Sequence, residues 1–130
     1  MRAVISGTRY YKDYYPKFEA ECMRIFAQLH EEGFNISRDK LVIATGKLKG
    51  VEGLARLFTD MHNLPLRIIY SDGVTGPAAT HIRNANMVEY AKEDPELGVV
   101  IAFHDGVSVV TEDLINLAQM ENVRTYVVNC

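Results

Sequence analysis

Apolar positions along the chain switch between two spacings. Short uninterrupted runs at Ala3 to Ser6, Leu41 to Ala44, Leu66 to Tyr70, Val99 to Phe103 and Thr125 to Val128 have the length and composition of buried strands. Between them apolar residues recur every three or four positions, the period of an amphipathic helix. Phe18, Cys22, Ile25, Phe26 and Leu29 define a first helix of about Tyr15 to Glu32, with Pro16 in its first turn and Gly33 just past its end. Leu54, Leu57, Phe58 and Met61 mark a second, which ends before Asn63-Leu64-Pro65. A third runs from about Ala78 to Lys92 with Ile82, Ala85, Val88 and Tyr90 inward, closed by Asp94-Pro95. The fourth, Thr111 to Met120, carries Leu114, Leu117 and Ala118 on one face.

Strand and helix therefore alternate strictly from β to β. Right-handed crossovers then return the chain to one parallel sheet covered by helices on both faces. The expectation is a three-layer α/β Rossmann-like sandwich with a five-stranded parallel sheet in the order 3-2-1-4-5. Val99 to Phe103, the most apolar run, is the candidate for a central strand. With no repeat, linker or low-complexity tract, the 130 residues read as a single domain, residues 1–130, long enough to bury one core.

Composition narrows the class. A net charge of −3 argues against an extended nucleic-acid surface, which needs clustered Lys and Arg in excess, but leaves room for a small anionic ligand. No apolar run approaches the roughly 20 residues that cross a bilayer, and no membrane partner is expected. The start, Met1-Arg2-Ala3-Val4-Ile5, runs straight into a strand and leaves no space for a signal peptide, so the expected location is cytoplasmic. Cys22 and Cys130 belong to no disulfide framework, and the histidines lack metal-ligand spacing, so neither a metal nor a cofactor is expected.

The polar, glycine-containing turns that follow successive strands carry the chemistry. Ser6-Gly7-Thr8-Arg9 supplies a flexible turn, a hydroxyl and a fixed cation. Thr45 to Gly50 adds Gly46, Lys47, Lys49 and Gly50, two lysines that either meet a ligand or are simply solvated. Gly76 to Met87 places Arg83 and Asn84 in the first two turns of a helix, to clamp an anion or to hold the helix start through loop carbonyls. In His104-Asp105-Gly106-Val107-Ser108, Asp105 either accepts ligand hydroxyls, assists proton transfer, or builds the turn with Gly106. In a doubly wound sheet these turns converge at one edge, where ligands bind. Tyr10, Tyr11, Tyr14 and Tyr15 stack on a base, form a contact between subunits, or pack over the sheet edge.

Four fragments in register, Val4 to Arg9, Lys49 to Ala55, Gly76 to Met87, and Ala102 to Ser108 with Thr111 and Asp113, make the chain resemble the SLOG superfamily. That Rossmann-like group includes the LOG phosphoribohydrolases and the DNA-processing DprA proteins, and the small YspA-like branch is the most similar. The resemblance implies binding of a nucleotide or nucleotide-derived ligand at the strand ends, with Gly7, Arg9, Gly46, Gly50, Glu52, Arg83, Asn84, Gly106, Ser108 and Thr111 at motif positions. It also implies a homo-oligomer. The chain departs from the group where Val110-Thr111 replaces a Gly-Thr pair and where Pro77 and Thr80 stand for Lys and Gly.

Glu112 and Asp113 would repel a phosphate docked at the start of the fourth helix. Together with the altered Gly-Thr pair, this favours binding or sensing of a ligand with feeble or absent catalysis. Two alternatives stay open. One is a nucleoside-monophosphate N-glycosidase, with Glu52, Glu112 or Asp105 as the candidate catalytic carboxylates and Arg83 on the phosphate. The other is a structural subunit whose cleft is vestigial.

Overall fold

In a computed structural model, which describes residues 1–47 and 49–130, the chain folds as expected into a parallel five-stranded sheet between two layers of helices. Leu48, in the second polar turn, lies outside the described residues. The elements are β1 (Arg2–Gly7), α1 (Tyr15–Glu31), β2 (Val42–Thr45), α2 (Val51–His62), β3 (Leu66–Ile68), α3 (Ala78–Lys92), β4 (Gly98–His104), α4 (Val109–Met120) and β5 (Arg124–Asn129). Strand order is β3-β2-β1-β4-β5, all pairs parallel. At the centre of the sheet β1 pairs with β4 over six residues, from Arg2 beside Gly98 to Gly7 beside Phe103.

Side-chain alternation along the strands divides the core in two. Ala3 and Ile5 of β1, with Val99, Ile101 and Phe103 of β4, face α1 and α2 and meet Phe18, Cys22, Ile25, Leu29, Ala55 and Phe58. Val4, Val100 and Ala102 face the other way, against Met87, Val88 and Ala91 of α3 and Leu114, Ile115 and Ala118 of α4. The helices thus change sides between β1 and β4, which makes the carboxyl ends of these two strands the topological switch point. Phe18 and Phe103 anchor the first half, their ring centroids 4.7 Å apart. None of the described helices is long and apolar enough to cross a membrane.

Two helix faces differ from the periodicity reading. In α2 the buried residues are Val51, Glu52, Ala55, Phe58 and Thr59, while Leu57 is 41% and Met61 62% exposed. The inward face is turned by roughly 100°, one residue step, from the stripe of Leu54, Leu57, Phe58 and Met61. Two polar residues with buried partners, Glu52 and Thr59, claim positions that an apolar count leaves to solvent. In α3 the buried set is Asn84, Met87, Val88 and Ala91, whereas Ile82, Ala85 and Tyr90 are half-buried. The cause is again polar, since the face is set by the bonds of Asn84 to the adjoining helix. Helix α4 begins at Val109, two residues before Thr111, because Ser108 caps it by accepting from the Thr111 N–H at 3.2 Å.

Candidate functional site

The loops after β1, β2 and β4 meet at the switch point around a cleft of about 610 Å³. Gly7, Thr8, Arg9, Lys47, Lys49, Glu52, Arg83, Asp105 and Ser108 line it, nine of the residues singled out from the sequence. Thr80, at the start of α3, and Tyr10, Val107, Val109 and Val110 complete the lining; Thr80, Val110 and the Tyr10 loop carried a signal in the sequence, while Val107 and Val109 read as ordinary loop residues.

Glu52 forms the floor. It sits in the first turn of α2, almost wholly buried, and its Oε2 accepts from Ser6 Oγ and from the Gly46 N–H, both at 3.0 Å. Its Oε1 lies 3.7 Å from Nη2 of Arg83. Burial drives the Glu52 carboxyl above the ordinary glutamate range, while Arg83, Ser6 and the Gly46 N–H, with Arg9 beyond them, pull it back without cancelling the rise. The buried Nε of Arg83 has no hydrogen-bond partner among the described residues. A Cβ on residue 46 would overlap Glu52 Oε2 and stand 2.8 Å from that Nε, so any side chain there has to push the floor carboxylate and guanidinium aside.

The second glycine of the same turn serves backbone packing. Gly50, the N-cap of α2, has φ 55°, and a side chain there would collide with Thr8 and Arg9. That close approach lets the Thr8 carbonyl accept the Val51 N–H at 3.1 Å. Thr8 also donates its N–H to the Phe103 carbonyl at 3.0 Å and its hydroxyl to Asp105 at 2.7 Å. One residue therefore ties the first loop to α2, to β4 and to the loop before α4.

Asp105 builds a turn. Its Oδ1 accepts from the N–H groups of Val107 and Ser108, at 2.9 and 2.8 Å, and its Oδ2 from Thr8. The Val107 N–H, then the Thr8 hydroxyl and the Ser108 N–H, hold the carboxyl down at about 2. An acid held so far below neutrality is no proton donor at physiological pH. Gly106, at φ 88°, sits in this turn and donates its N–H to His104 Nδ1 at 3.2 Å. With Nδ1 accepting, Nε2 of His104 carries the proton and donates to Glu112 at 2.8 Å.

Some expected contacts are not brought to the cleft. His104, Gly106 and Glu112 lie along a neighbouring shallow groove beside α4, which shares Val107, Ser108 and Val109 with the cleft. Asn84 is buried and donates to the Val110 carbonyl at 2.9 Å and to Asp113 at 3.1 Å, joining α3 to the start of α4. This differs from the expected bond to loop carbonyls at the start of its own helix, because both partners belong to α4. Thr111, buried, pairs its hydroxyl with Ser108 Oγ at 2.8 Å as part of the cap.

The charge on the two sides of the cleft is unequal. Arg9, Lys47 and Lys49 rise from the loops after β1 and β2, exposed and without an ion-pair partner among the described residues. The side formed by Val107, Val109 and Val110 is apolar and exposed. Tyr11 packs edge-on against Phe18 and Phe103, while Tyr10 and Tyr14 stand in solvent. Among the described residues no group of three or more His, Cys, Asp or Glu is arranged to hold a metal ion. Comparison of the chain with protein-family models, with curated proteins and with solved structures finds no match.

Proposed function

We propose that the cleft binds a nucleotide or nucleotide-derived small ligand, for sensing or sequestration rather than turnover, and that the chain is a member of the SLOG superfamily. The observation that carries this reading is the make-up of the cleft at the switch point. It offers loop cations for an anionic group, a buried carboxylate and hydroxyl for sugar or base hydrogen bonds, and an apolar side for a flat ring. The direct test is mass spectrometry of small molecules released from the protein purified from cells, followed by titration with whatever is found. A nucleotide at near-stoichiometric amount supports the reading; its absence, with no binding across a panel of ribonucleotides, removes it.

A second reading, N-glycosidase, is favoured by one feature, the Glu52 carboxyl pushed upward at the floor of the cleft. Glu112, tied to His104 outside the cleft, and Asp105, both of whose oxygens are taken by Val107, Ser108 and Thr8, leave Glu52 as the carboxylate suited to that chemistry. Incubation with the four ribonucleoside 5′-monophosphates and chromatography for free base separates the two readings. Release at about 1 per second or faster establishes the enzyme.

The exposed rings of Tyr10 and Tyr14 favour self-association through the tyrosine segment. Sedimentation of the protein and of Tyr14→Ser tests it. The two free thiols, with Cys22 buried and pushed up by that burial, suit a reducing cytoplasm.

A further inference from the structure

Resting on the nucleotide reading, we infer a polarity for the bound ligand: its phosphate lies toward Arg9, Lys47 and Lys49, and its base lies toward Val107 and Val109 at the start of α4. A phosphate seated on the α4 N-terminus would have the opposite orientation.

The α4 end is poorly suited to an anion. A helix N-terminus attracts phosphate through unpartnered N–H groups and the positive end of the dipole. Here those groups are largely taken. The Asp105 carboxylate accepts from Val107 and Ser108, and Ser108 Oγ accepts from Thr111. The N–H groups that remain in the first turn belong to Val109 and Val110, whose isopropyl groups hinder close approach of a hydrated anion. Asp105 before the turn and Glu112 within it bring two carboxylates to the same end. A phosphate there would meet the Asp105 carboxylate within the cleft, with Glu112, bonded to His104, in the neighbouring groove.

The opposite side has the complementary properties. Arg9, Lys47 and Lys49 contribute three cations, and the one buried acid nearby, Glu52, already stands against Arg83. Lys47 and Lys49 have no ion-pair partner among the described residues and Arg9 acts on Glu52 only from beyond Arg83, which leaves positive charge on this side for a ligand. Val107 and Val109, by contrast, are 81% and 82% exposed although they line a cleft. Covering those methyl groups with the face of a base removes apolar surface from water, which a phosphate does not do.

Titration calorimetry distinguishes the two orientations with the four ribonucleoside 5′-monophosphates, their nucleosides and ribose 5-phosphate as probes. Because the substituted side chains are exposed, thermal melts should confirm that each variant folds. Arg9→Ala and Lys49→Ala should each weaken the tightest-binding monophosphate and ribose 5-phosphate about tenfold, leave its nucleoside unchanged, and flatten the salt dependence. Val107→Ser and Val109→Ser should weaken monophosphate and nucleoside about threefold and leave ribose 5-phosphate unchanged. The crossed result, with ribose 5-phosphate sensitive to the valines and indifferent to Arg9 and Lys49, overturns the polarity and leaves nucleotide binding intact. No binding by any probe overturns both.

Discussion

The guanidinium of Arg83 stands 3.7 Å from Oε1 of Glu52, close enough to share charge and too far to share a good hydrogen bond, with its Nε shut away from any acceptor among the described residues. The pair joins α3 to α2 across the switch point, from opposite layers of the sandwich. Arg83→Ala leaves a buried carboxylate without its cation and should cost about 1–3 kcal/mol at neutral pH. Glu52→Gln keeps an acceptor for Ser6 and Gly46 and should cost less. Urea denaturation of both variants measures the difference. The Arg83→Ala loss should also shrink in acid: a carboxyl whose pKa folding raises weakens the fold only while charged, so protonation removes the need for a partner.

Asp105 has the opposite sign. Its carboxyl drops from the ordinary 3.8 to about 2 on folding, so its contribution is complete above about pH 4 and fades as pH falls through that interval. Melting temperatures of the wild type should fall more steeply between about pH 4 and 2 than those of Asp105→Asn. Parallel curves would show that the turn does not need the charge.

The double donation of Asn84 to Val110 and Asp113 fastens the first turn of α4. Asn84→Ala removes both bonds and leaves the Val110 carbonyl without that donor, a loss of about 1–3 kcal/mol. Hydrogen exchange should speed up at the α4 start before it does so in β4. Uniform acceleration would place the effect in global stability alone.

At Gly46 even one methyl group meets Glu52 and Arg83. Gly46→Ala should displace both side chains, cost about 1–3 kcal/mol and weaken ligand binding. Gly33→Ala, where an added Cβ meets nothing but φ is 97°, is the control for backbone strain without crowding. Equal ligand affinity in the two variants would separate the floor from binding.

Topology was legible because it depends on alternation alone: five apolar runs separated by four helical periods leave few arrangements, and β3-β2-β1-β4-β5 is the one found. The converging loops were legible for the same reason, since strand ends in a parallel sheet share an edge. Helix rotation was not. Periodicity assigns Leu57 and Met61 to the core and gives Glu52 no inward place, so only the resemblance singled Glu52 out, whereas partners from distant segments, Ser6, Gly46 and Arg83, hold it inside. Asn84 escaped for the same reason: its partners lie in α4, 26 and 29 residues away. Pairing between remote polar groups leaves no local signature, while the Asp105 turn, made with neighbours two and three residues on, was among the readings open from sequence.

The bonds of Thr8 have a consequence for time as well as for shape. On the proposed nucleotide reading, a loop pinned at once to α2, β4 and the Asp105 turn should take its ligand without a slow ordering step. Association should then follow a single exponential whose rate rises linearly with ligand concentration, accelerated at low salt by the loop cations. Thr8→Val, which deletes the hydroxyl tether and nearly preserves the volume, should bring in a concentration-independent phase as the two loops come to close separately.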